Sequence, residues 1–201
     1  RPDVVVFQPP PLEADWTLAG PIVADLWVST SGTDSDWVVK LIDVYPPDAE
    51  DPEDAPDGWH LGDAQLMVRS EVFRGRYRNS YERPEPFVPN EPTNVRFELL
   101  DVLHTFKAGH RVMVQIQSTW FPLVDLNPQT FVPNINFADE SDFKPARQRV
   151  FHTAAYPTCL RVGVLGGAEA SERVQATSAP GARKRSRLDA MKKKRTMHLL
   201  K

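Results

Sequence analysis

The sequence has one cysteine in 201 residues, and no apolar run approaches the ~20 residues that a membrane-spanning helix needs. A single cysteine excludes an intramolecular disulfide and a zinc site built on several cysteines. Cys159 lies among apolar residues that are typical of a strand, so we expect a buried, inert thiol. The chain starts at Arg1, without an initiator methionine or a secretory signal pattern. We therefore expect it to be part of a longer polypeptide, and the sequence leaves its compartment open.

Aromatic residues and prolines are almost missing from the last part of the chain. All 19 aromatic residues lie at or before Tyr156, and 18 of the 19 prolines lie at or before Pro157. Residues 166–201 carry ten Lys/Arg and three Asp/Glu, whereas the first 165 residues carry 14 and 24. The net charge of −3 therefore combines an acidic body with a basic tail. We predict a β domain over 1–165 and a basic, disordered extension over 166–201, because small polar and charged residues bury too little apolar surface to fold.

The predicted extension contains two dense basic clusters, RKR at 183–185 and KKKR at 192–195. Three interpretations stay open for them: a non-functional extension, electrostatic binding of polyanions, and specific targeting. Residues 190–200 could also form a short basic helix, although an isolated helix of that length is marginal in water.

Helical periodicity is nearly absent from the first 165 residues, where frequent prolines would interrupt it. Short runs of β-branched and aromatic residues alternate with polar ones instead; Val95, Phe97 and Leu99, for example, alternate with Asn94, Arg96 and Glu98. Eight strands are predicted, over residues 4–7, 22–29, 37–44, 65–70, 94–99, 111–117, 150–154 and 160–165. Most have one polar face, which antiparallel sheets tolerate. The prediction is an all-β fold, a jelly-roll β-sandwich of two sheets (galactose-binding-like).

Two connections are too long to be hairpin turns. Residues 45–64 contain four prolines and six acidic residues between positions 48 and 57, which predicts an extended, solvated excursion. Residues 118–149 carry a tryptophan and four phenylalanines, so this loop should pack against something. Two interpretations are open: the loop packs on its own sandwich, or part of it faces a second domain.

Trp120 and Phe121 are the candidate residues for a substrate cleft or a domain interface, because they stand where a regular strand gives way to the aromatic loop. For Trp120 we favour a place in the domain interface over a place in the sandwich core. Phe121 is expected to be partly buried, because Pro122 fixes the chain direction at the loop entrance.

Motifs of the common enzyme classes are missing. The Gly-x-x-x-Gly spacings have His60 or Leu165 at their centres, so no serine stands on a nucleophile elbow. No His-Glu-x-x-His occurs; His104 and His110 bracket a Phe-Lys-Ala-Gly turn, which predicts a structural hydrogen-bonding role at a hairpin end. The stretch TDSD at 33–36 offers fewer oxygen ligands than calcium usually takes, which favours turn-forming aspartates. No catalytic residue, metal site or cofactor is predicted.

Several ordered motifs of the body carry a family resemblance. Residues 20–46, GPIVADLWVSTSGTDSDWVVKLIDVYP, resemble the start of the C-terminal domain of X-Pro dipeptidyl-peptidase-type serine hydrolases. That group includes cocaine-esterase-like enzymes, α-amino-acid ester hydrolases and glutaryl-acylase-type enzymes. Later motifs follow in the expected order: MVR at 67–69, FRG at 73–75, FKAGHRV at 106–112, QSTWFP at 117–122 and NPQT at 127–130. RNS at 78–80 and PEPFVPN at 84–90 are most similar to the α-amino-acid ester hydrolase branch.

The resemblance covers roughly residues 3–165 and implies a jelly-roll domain that follows an α/β-hydrolase domain in the same polypeptide. In that family the catalytic Ser, Asp and His all precede this region, and no residue here matches their motifs. The chain alone is therefore expected to lack activity. The resemblance implies a non-catalytic domain that shapes the substrate cleft and supports oligomer contacts in an enzyme cleaving ester or amide bonds. Its expected partners are the absent catalytic domain and, in a homo-oligomer, further copies. A membrane is not among them, and the tail adds at most weak polyanion binding.

A stand-alone carbohydrate-binding jelly roll is the alternative from another class. Exposed aromatic side chains such as Trp59 and Trp120 could stack on sugar rings in such a module. A glycan-binding screen of the body distinguishes the two functions.

Overall fold

The structure is a computed structural model that describes residues 3–165 and the backbone of Arg195–His198. Within this part the chain forms nine β-strands and no α-helix, so none of it is a helix that could cross a membrane. The strands are β1 Val4–Phe7, β2 Trp16–Thr30, β3 Asp36–Val44, β4 Gln65–Arg74, β5 Thr93–Phe106, β6 Arg111–Gln117, β7 Gln148–Phe151, β8 Cys159–Leu165 and β9 Arg195–His198. Three short 3₁₀ turns cover Gly75–Tyr77, Ile135–Phe137 and Glu140–Asp142.

The strands form two antiparallel sheets that pack face to face. The first sheet has the order β1-β6-β3-β4, and the second has the order β5-β2-β8-β9, with β7 paired to the remaining length of β2. The all-β sandwich predicted from the sequence is confirmed, and each of the eight predicted strands is present.

The strand β2 is longer than the sequence predicts, because it continues through Gly20 and Pro21. Pairing with β5 runs on both sides of this point, and the register shifts between Gly20 and Ile22. Gly20 has a φ of 93°, which favours glycine, and a bulge is one of the few places where a sheet accepts proline. The predicted strand over 150–154 lies earlier in the structure, at Gln148–Phe151.

Arg195–His198 are a strand, where the sequence predicts disorder or part of a short helix. Their backbone pairs antiparallel with β8, from Val164 to Arg161. The edge of β8 presents backbone groups that accept such a strand. Residues 166–194 and 199–201, which make up the rest of the predicted extension, lie outside the described residues.

The core fills the space between the inner faces of the two sheets. Its largest fully buried side chains include Trp37 and Leu41 from β3, Leu26 from β2 and Phe106 from β5. Cys159 is buried at the start of β8, as predicted. The strand β3 is buried on both faces, since Ile42, Val44 and Met113 form a second, smaller apolar cluster apart from the main core.

His104 and His110 meet at Asp43, at one end of the sandwich. Asp43 is buried on β3; its Oδ2 lies 2.9 Å from Nε2 of His104, and its Oδ1 lies 2.8 Å from Nδ1 of His110. His104 belongs to the second sheet, so this carboxylate links the two sheets. The predicted structural hydrogen-bonding role of both histidines at this hairpin is confirmed.

Candidate domain interface

Three connections lie together at the other end of the sandwich, which we call the loop end: residues 31–35, 75–92 and 118–147. Their placement follows from the strand register, because Thr30 pairs with Gln148, Asp36 with Arg74 and Val38 with Gln117. The loop end therefore carries the aromatic loop and the TDSD stretch that the sequence singles out.

Asp34 makes a buried ion pair at the loop end. The Nε and Nη2 atoms of Arg76 donate to Oδ2 of Asp34 at 2.9 and 2.6 Å. Both side chains are buried, with relative exposures of 0% for Asp34 and 2% for Arg76. Arg76 also donates from Nη1 to the carbonyl of Val132 at 2.9 Å and stacks over the ring of Phe131 at 4.6 Å. Arg76, held by Asp34, thus attaches the aromatic loop to the sandwich through Val132 and Phe131.

Asp36 makes a second attachment to the same loop. Its Oδ1 accepts from Nδ2 of Asn127 at 2.9 Å, and its Oδ2 lies 3.4 Å from Nη1 of Arg74. The other Nη of Arg74 donates to Asp125 at 2.5 Å. Burial raises the pKa of Asp36 to about 6, against the opposing effects of Asn127 and Arg74. Both aspartates of the TDSD stretch are therefore structural anchors. Within the described residues, no group of three or more His, Cys, Asp or Glu could hold a metal ion.

Backbone contacts reinforce these anchors. The amide of Thr33 donates to the carbonyl of Gln129 at 3.0 Å, and the amide of Phe131 donates to Oγ1 of Thr33 at 2.8 Å. A Cβ at Gly32 would collide with the same Gln129 carbonyl, so glycine permits this close approach. Residues 127–132 of the aromatic loop consequently pack on their own sandwich, which supports the first of the two interpretations for this part.

The two candidate residues from the sequence differ in their surroundings. Trp120 is half-buried, and Nζ of Lys40, on β3, lies 4.1 Å from its ring centroid. Such a cation–π contact holds the indole against the first sheet. Phe121 precedes a cis peptide bond to Pro122 and is 63% exposed, so the expectation of partial burial is wrong. A fixed chain direction does not by itself supply neighbours that cover the ring.

Phe121 is one of several large apolar side chains that the aromatic loop exposes. Leu123 is 69% exposed and Phe137 82%, although the loop between them is anchored. The exposed members are Phe121, Leu123, Leu126, Phe137 and Phe143, and we call them the apolar loop residues. Exposed apolar groups concentrated on one segment are typical of an interaction surface. Sequence reasoning missed Leu123 and Leu126 because isolated leucines in a loop carry no periodic signal.

The fold and these contacts define an all-β sandwich domain with an anchored apolar loop. Residues 1–161 match the family described as X-Pro dipeptidyl-peptidase C-terminal non-catalytic domain. The chain belongs to this family, and the resemblance identified from the sequence is confirmed.

The relatives are hydrolases. Cocaine esterase from Rhodococcus sp. (strain MB1 Bresler) is 31% identical over 130 residues, which is 65% of this chain and 20% of that protein. An aminopeptidase from the marine sediment archaeon Thaumarchaeota archaeon is 47% identical, with a TM-score of 0.76 over 83% of this chain and 26% of its own. An α-amino acid ester hydrolase structure is also 47% identical, with a TM-score of 0.76 over 82% of this chain and 26% of its own.

The CocE/NonD family hydrolase from Staphylococcus aureus is 19% identical at a TM-score of 0.58 and shares the fold. The chain spans between 20% and 30% of the length of each of these relatives.

Proposed function

We propose that this chain is the accessory domain of a serine hydrolase that cleaves ester or amide bonds next to an α-amino acid or an X-Pro dipeptide. In this role it forms one wall of the substrate cleft of an α/β-hydrolase domain and contributes to oligomer contacts. The family is described as non-catalytic, and the relatives are named as esterases and peptidases. The sequence itself contains no nucleophile elbow.

One observation carries the assignment of the docking surface. The aromatic loop is anchored by two buried hydrogen bonds, from Arg76 to the Val132 carbonyl and from Asn127 to Asp36, yet it exposes Phe121 and Phe137. Anchoring limits the entropy that a loop loses on binding, and exposed aromatic side chains are the residues that dominate interface energetics. A rigid loop with an apolar surface is better suited to contact a partner domain than to face water.

The position of Trp120 supports the same surface. Its ring covers Lys40 on the outer face of the first sheet, and Phe121 follows directly in sequence. We propose that Trp120 belongs to the rim of the interface and Phe121 to its buried centre, since Phe121 is the more exposed of the two in the isolated chain.

Reconstitution with a relative tests this function. The 47% identical α-amino acid ester hydrolase can be expressed without the quarter that this chain matches, and then mixed with the full 201-residue chain. We expect the two to co-purify and the mixture to hydrolyse an aminoacyl ester faster than the truncated enzyme alone. The chain alone should release no product above a buffer control.

A double variant, Phe121→Ser with Leu123→Ser, should weaken this association about tenfold or more, because both side chains lose an apolar contact. Leu103→Ser is the matched control: Leu103 is 77% exposed on β5, in the other sheet. Equal loss of association in the control and the double variant would contradict the proposed surface. Failure of every mixture to associate or to gain activity would contradict the proposed function.

A further inference from the structure

The 75–92 connection, which lies beside the aromatic loop at the loop end, is held in place by its own contacts. Arg78 donates to three backbone carbonyls at distances between 2.8 and 3.2 Å, those of Gly75, Glu85 and Pro86. Its guanidinium also stacks over the ring of Phe87 at 4.4 Å, and Phe87 is buried. One arginine therefore fixes the path of this connection on both sides of its tip.

The tip of the connection presents Tyr81 to solvent. Tyr81 is 78% exposed, whereas the other three tyrosines of the chain are half-buried. Its ring meets Phe73 edge-on at 6.3 Å and lies 6.2 Å from the ring of Tyr77. Phe73 in turn stacks on Phe97 at 4.9 Å, and both belong to the main core. An exposed aromatic side chain is thus supported by a column of rings that begins in the core.

The 75–92 connection and the aromatic loop are joined through the same two residues. The carbonyl of Thr33 accepts from the amide of Phe87 at 2.8 Å, and Oγ1 of Thr33 accepts from the amide of Phe131 at 2.8 Å. The carbonyl of Arg76 accepts from the amide of Glu85 at 2.8 Å, while the guanidinium of Arg76 anchors the aromatic loop. The two segments therefore form one continuous surface.

We infer that Tyr81 is part of the same docking surface as the apolar loop residues and inserts into a pocket of the hydrolase domain with apolar walls and a hydrogen-bond acceptor at its end. This inference rests on the proposed function. The chain spans 20% to 30% of the length of its relatives, so most of each relative lies outside the matched domain and can supply this pocket.

The chemistry of the tip defines the pocket. A tyrosine that its neighbours already hold contributes a large apolar ring at a small cost in entropy, and its hydroxyl can donate one hydrogen bond. Glu82 and Arg83, which follow Tyr81, carry opposite charges and are both exposed. The tip therefore favours an apolar pocket with a neutral acceptor over a pocket of one charge.

Isothermal titration calorimetry tests the inference. The full 201-residue chain and its variants are titrated into the truncated α-amino acid ester hydrolase described above. Tyr81→Ala removes the ring and the hydroxyl, and we expect the affinity to fall about thirtyfold. Tyr81→Phe removes the hydroxyl alone, and we expect a fall of about threefold.

Trp59→Ala is the matched control. Trp59 is also an exposed aromatic residue, but it lies in the connection that follows β3, at the Asp43 end of the sandwich. This variant should bind as tightly as the parent. Far-ultraviolet circular dichroism shows that each variant is folded before it is titrated.

Nitration gives a readout that needs no variant. Tetranitromethane modifies exposed tyrosines, and peptide mass spectrometry distinguishes the four tyrosines of the chain. We expect Tyr81 to be nitrated first in the chain alone and to be protected when the truncated hydrolase is in excess. Undiminished nitration of Tyr81 in the complex would overturn the inference, since the ring would then still face water.

Two other results would overturn the inference. One is that Tyr81→Ala binds the truncated hydrolase as tightly as the parent does. The other is a dimer of the chain alone that Tyr81→Ala dissociates in analytical ultracentrifugation, because the ring would then contact a second copy.

The same titrations separate this inference from the proposed function. If the parent associates and the Phe121→Ser, Leu123→Ser variant is weakened while Tyr81→Ala is not, the inference fails and the proposed function stands. If the parent does not associate at all, both fail.

Discussion

The guanidinium of Arg76 lies where almost no water reaches it. One carboxylate therefore compensates its positive charge. The exposure of the Asp34 and Arg76 side chains is 0% and 2%. Replacing a buried ion pair by apolar residues can be neutral, whereas removing one partner leaves an uncompensated charge. This difference makes the pair testable by single substitution.

We predict that Asp34→Asn lowers the free energy of unfolding by about 3–5 kcal/mol, because it leaves Arg76 charged and buried without its counter-ion. Urea denaturation followed by tryptophan fluorescence measures the change. Arg149→Gln, an exposed change nearby, should stay within about 0.5 kcal/mol of the parent. A loss below about 1 kcal/mol in Asp34→Asn would mean that the ion pair does not hold the loop end together.

Asp36 gives the loop end a dependence on pH. Burial raises its pKa from 3.8 to about 6 in the folded chain, so the folded state holds the proton more tightly than the unfolded state. The stabilisation that this proton provides is complete below about pH 4 and disappears as the pH rises through about 6.

Asp36→Asn removes this titration, since asparagine carries no ionisable group while its oxygen still accepts from Asn127. We therefore predict that the stability of Asp36→Asn relative to the parent increases between about pH 4 and pH 7, by up to roughly 3 kcal/mol. Urea midpoints of both proteins across that range measure the difference. A constant difference would show that Asp36 titrates alike in the folded and unfolded states.

Among the elements, the aromatic loop approaches the 31–35 connection closely at Gly32. The amide of Thr33 donates to the Gln129 carbonyl, and Gly32 lies against the same carbonyl. Both loops would have to separate to admit a methyl group.

We predict that Gly32→Ala costs about 3 kcal/mol, because overpacking against a backbone carbonyl cannot be relieved by a side-chain rotation. Gly58→Ala is the comparison: Gly58 has open space around it but a φ of 78°, so the cost there is backbone strain alone, about 1–2 kcal/mol. Denaturant midpoints give both costs, and amide hydrogen exchange at Thr33 should be faster in Gly32→Ala. Unchanged exchange would contradict the account of this contact.

Strands could be predicted from the sequence where apolar and polar residues alternate, because this pattern shows which face is buried. Strand β5 shows this well around Val95 and Phe97, both buried and separated by exposed Arg96. The continuation of β2 across Pro21 was not predictable, because it depends on a bulge that only the neighbouring strand defines. Strand β9 was hidden for a similar reason, since pairing with the edge of β8 leaves no periodic pattern in a basic segment.

The candidate interface was predictable only in part. A dense run of aromatic residues predicted that the loop packs against another part of the protein. Trp120 of this loop is half-buried, which agrees with that prediction. The anchors were hidden, because Asp34 and Arg76 are 42 positions apart and charged residues usually lie at the surface. Sequence order cannot show that the two charges meet inside the fold.

At the scale of the whole molecule, the main core is complete without the basic tail. Its buried members all lie between Leu18 and Val162, and the described contact of the tail is the four-residue ladder of β9 on β8. Backbone pairing at an edge adds little apolar burial.

We predict that truncation after Leu165 leaves the melting temperature nearly unchanged, since every buried member of the main core lies within residues 18–162. Differential scanning calorimetry of the chain with and without residues 166–201 measures the effect. A loss of several degrees, which corresponds to roughly 1 kcal/mol or more in a domain of this size, would show that the tail stabilises the body.

The hydrogen bonds at Asp43 have a mechanical consequence. The carboxylate of Asp43 on the first sheet holds His104 of the second sheet and His110 of the β5–β6 turn at one end of the sandwich, and the Asp34 ion pair with its loop contacts ties the other end. Two sheets fixed at both ends resist sliding past each other, so a load applied at the loop end displaces the sandwich as a block. Under the proposed docking on a hydrolase domain, such a wall would change the width of the cleft by tilting on its neighbour, not by bending.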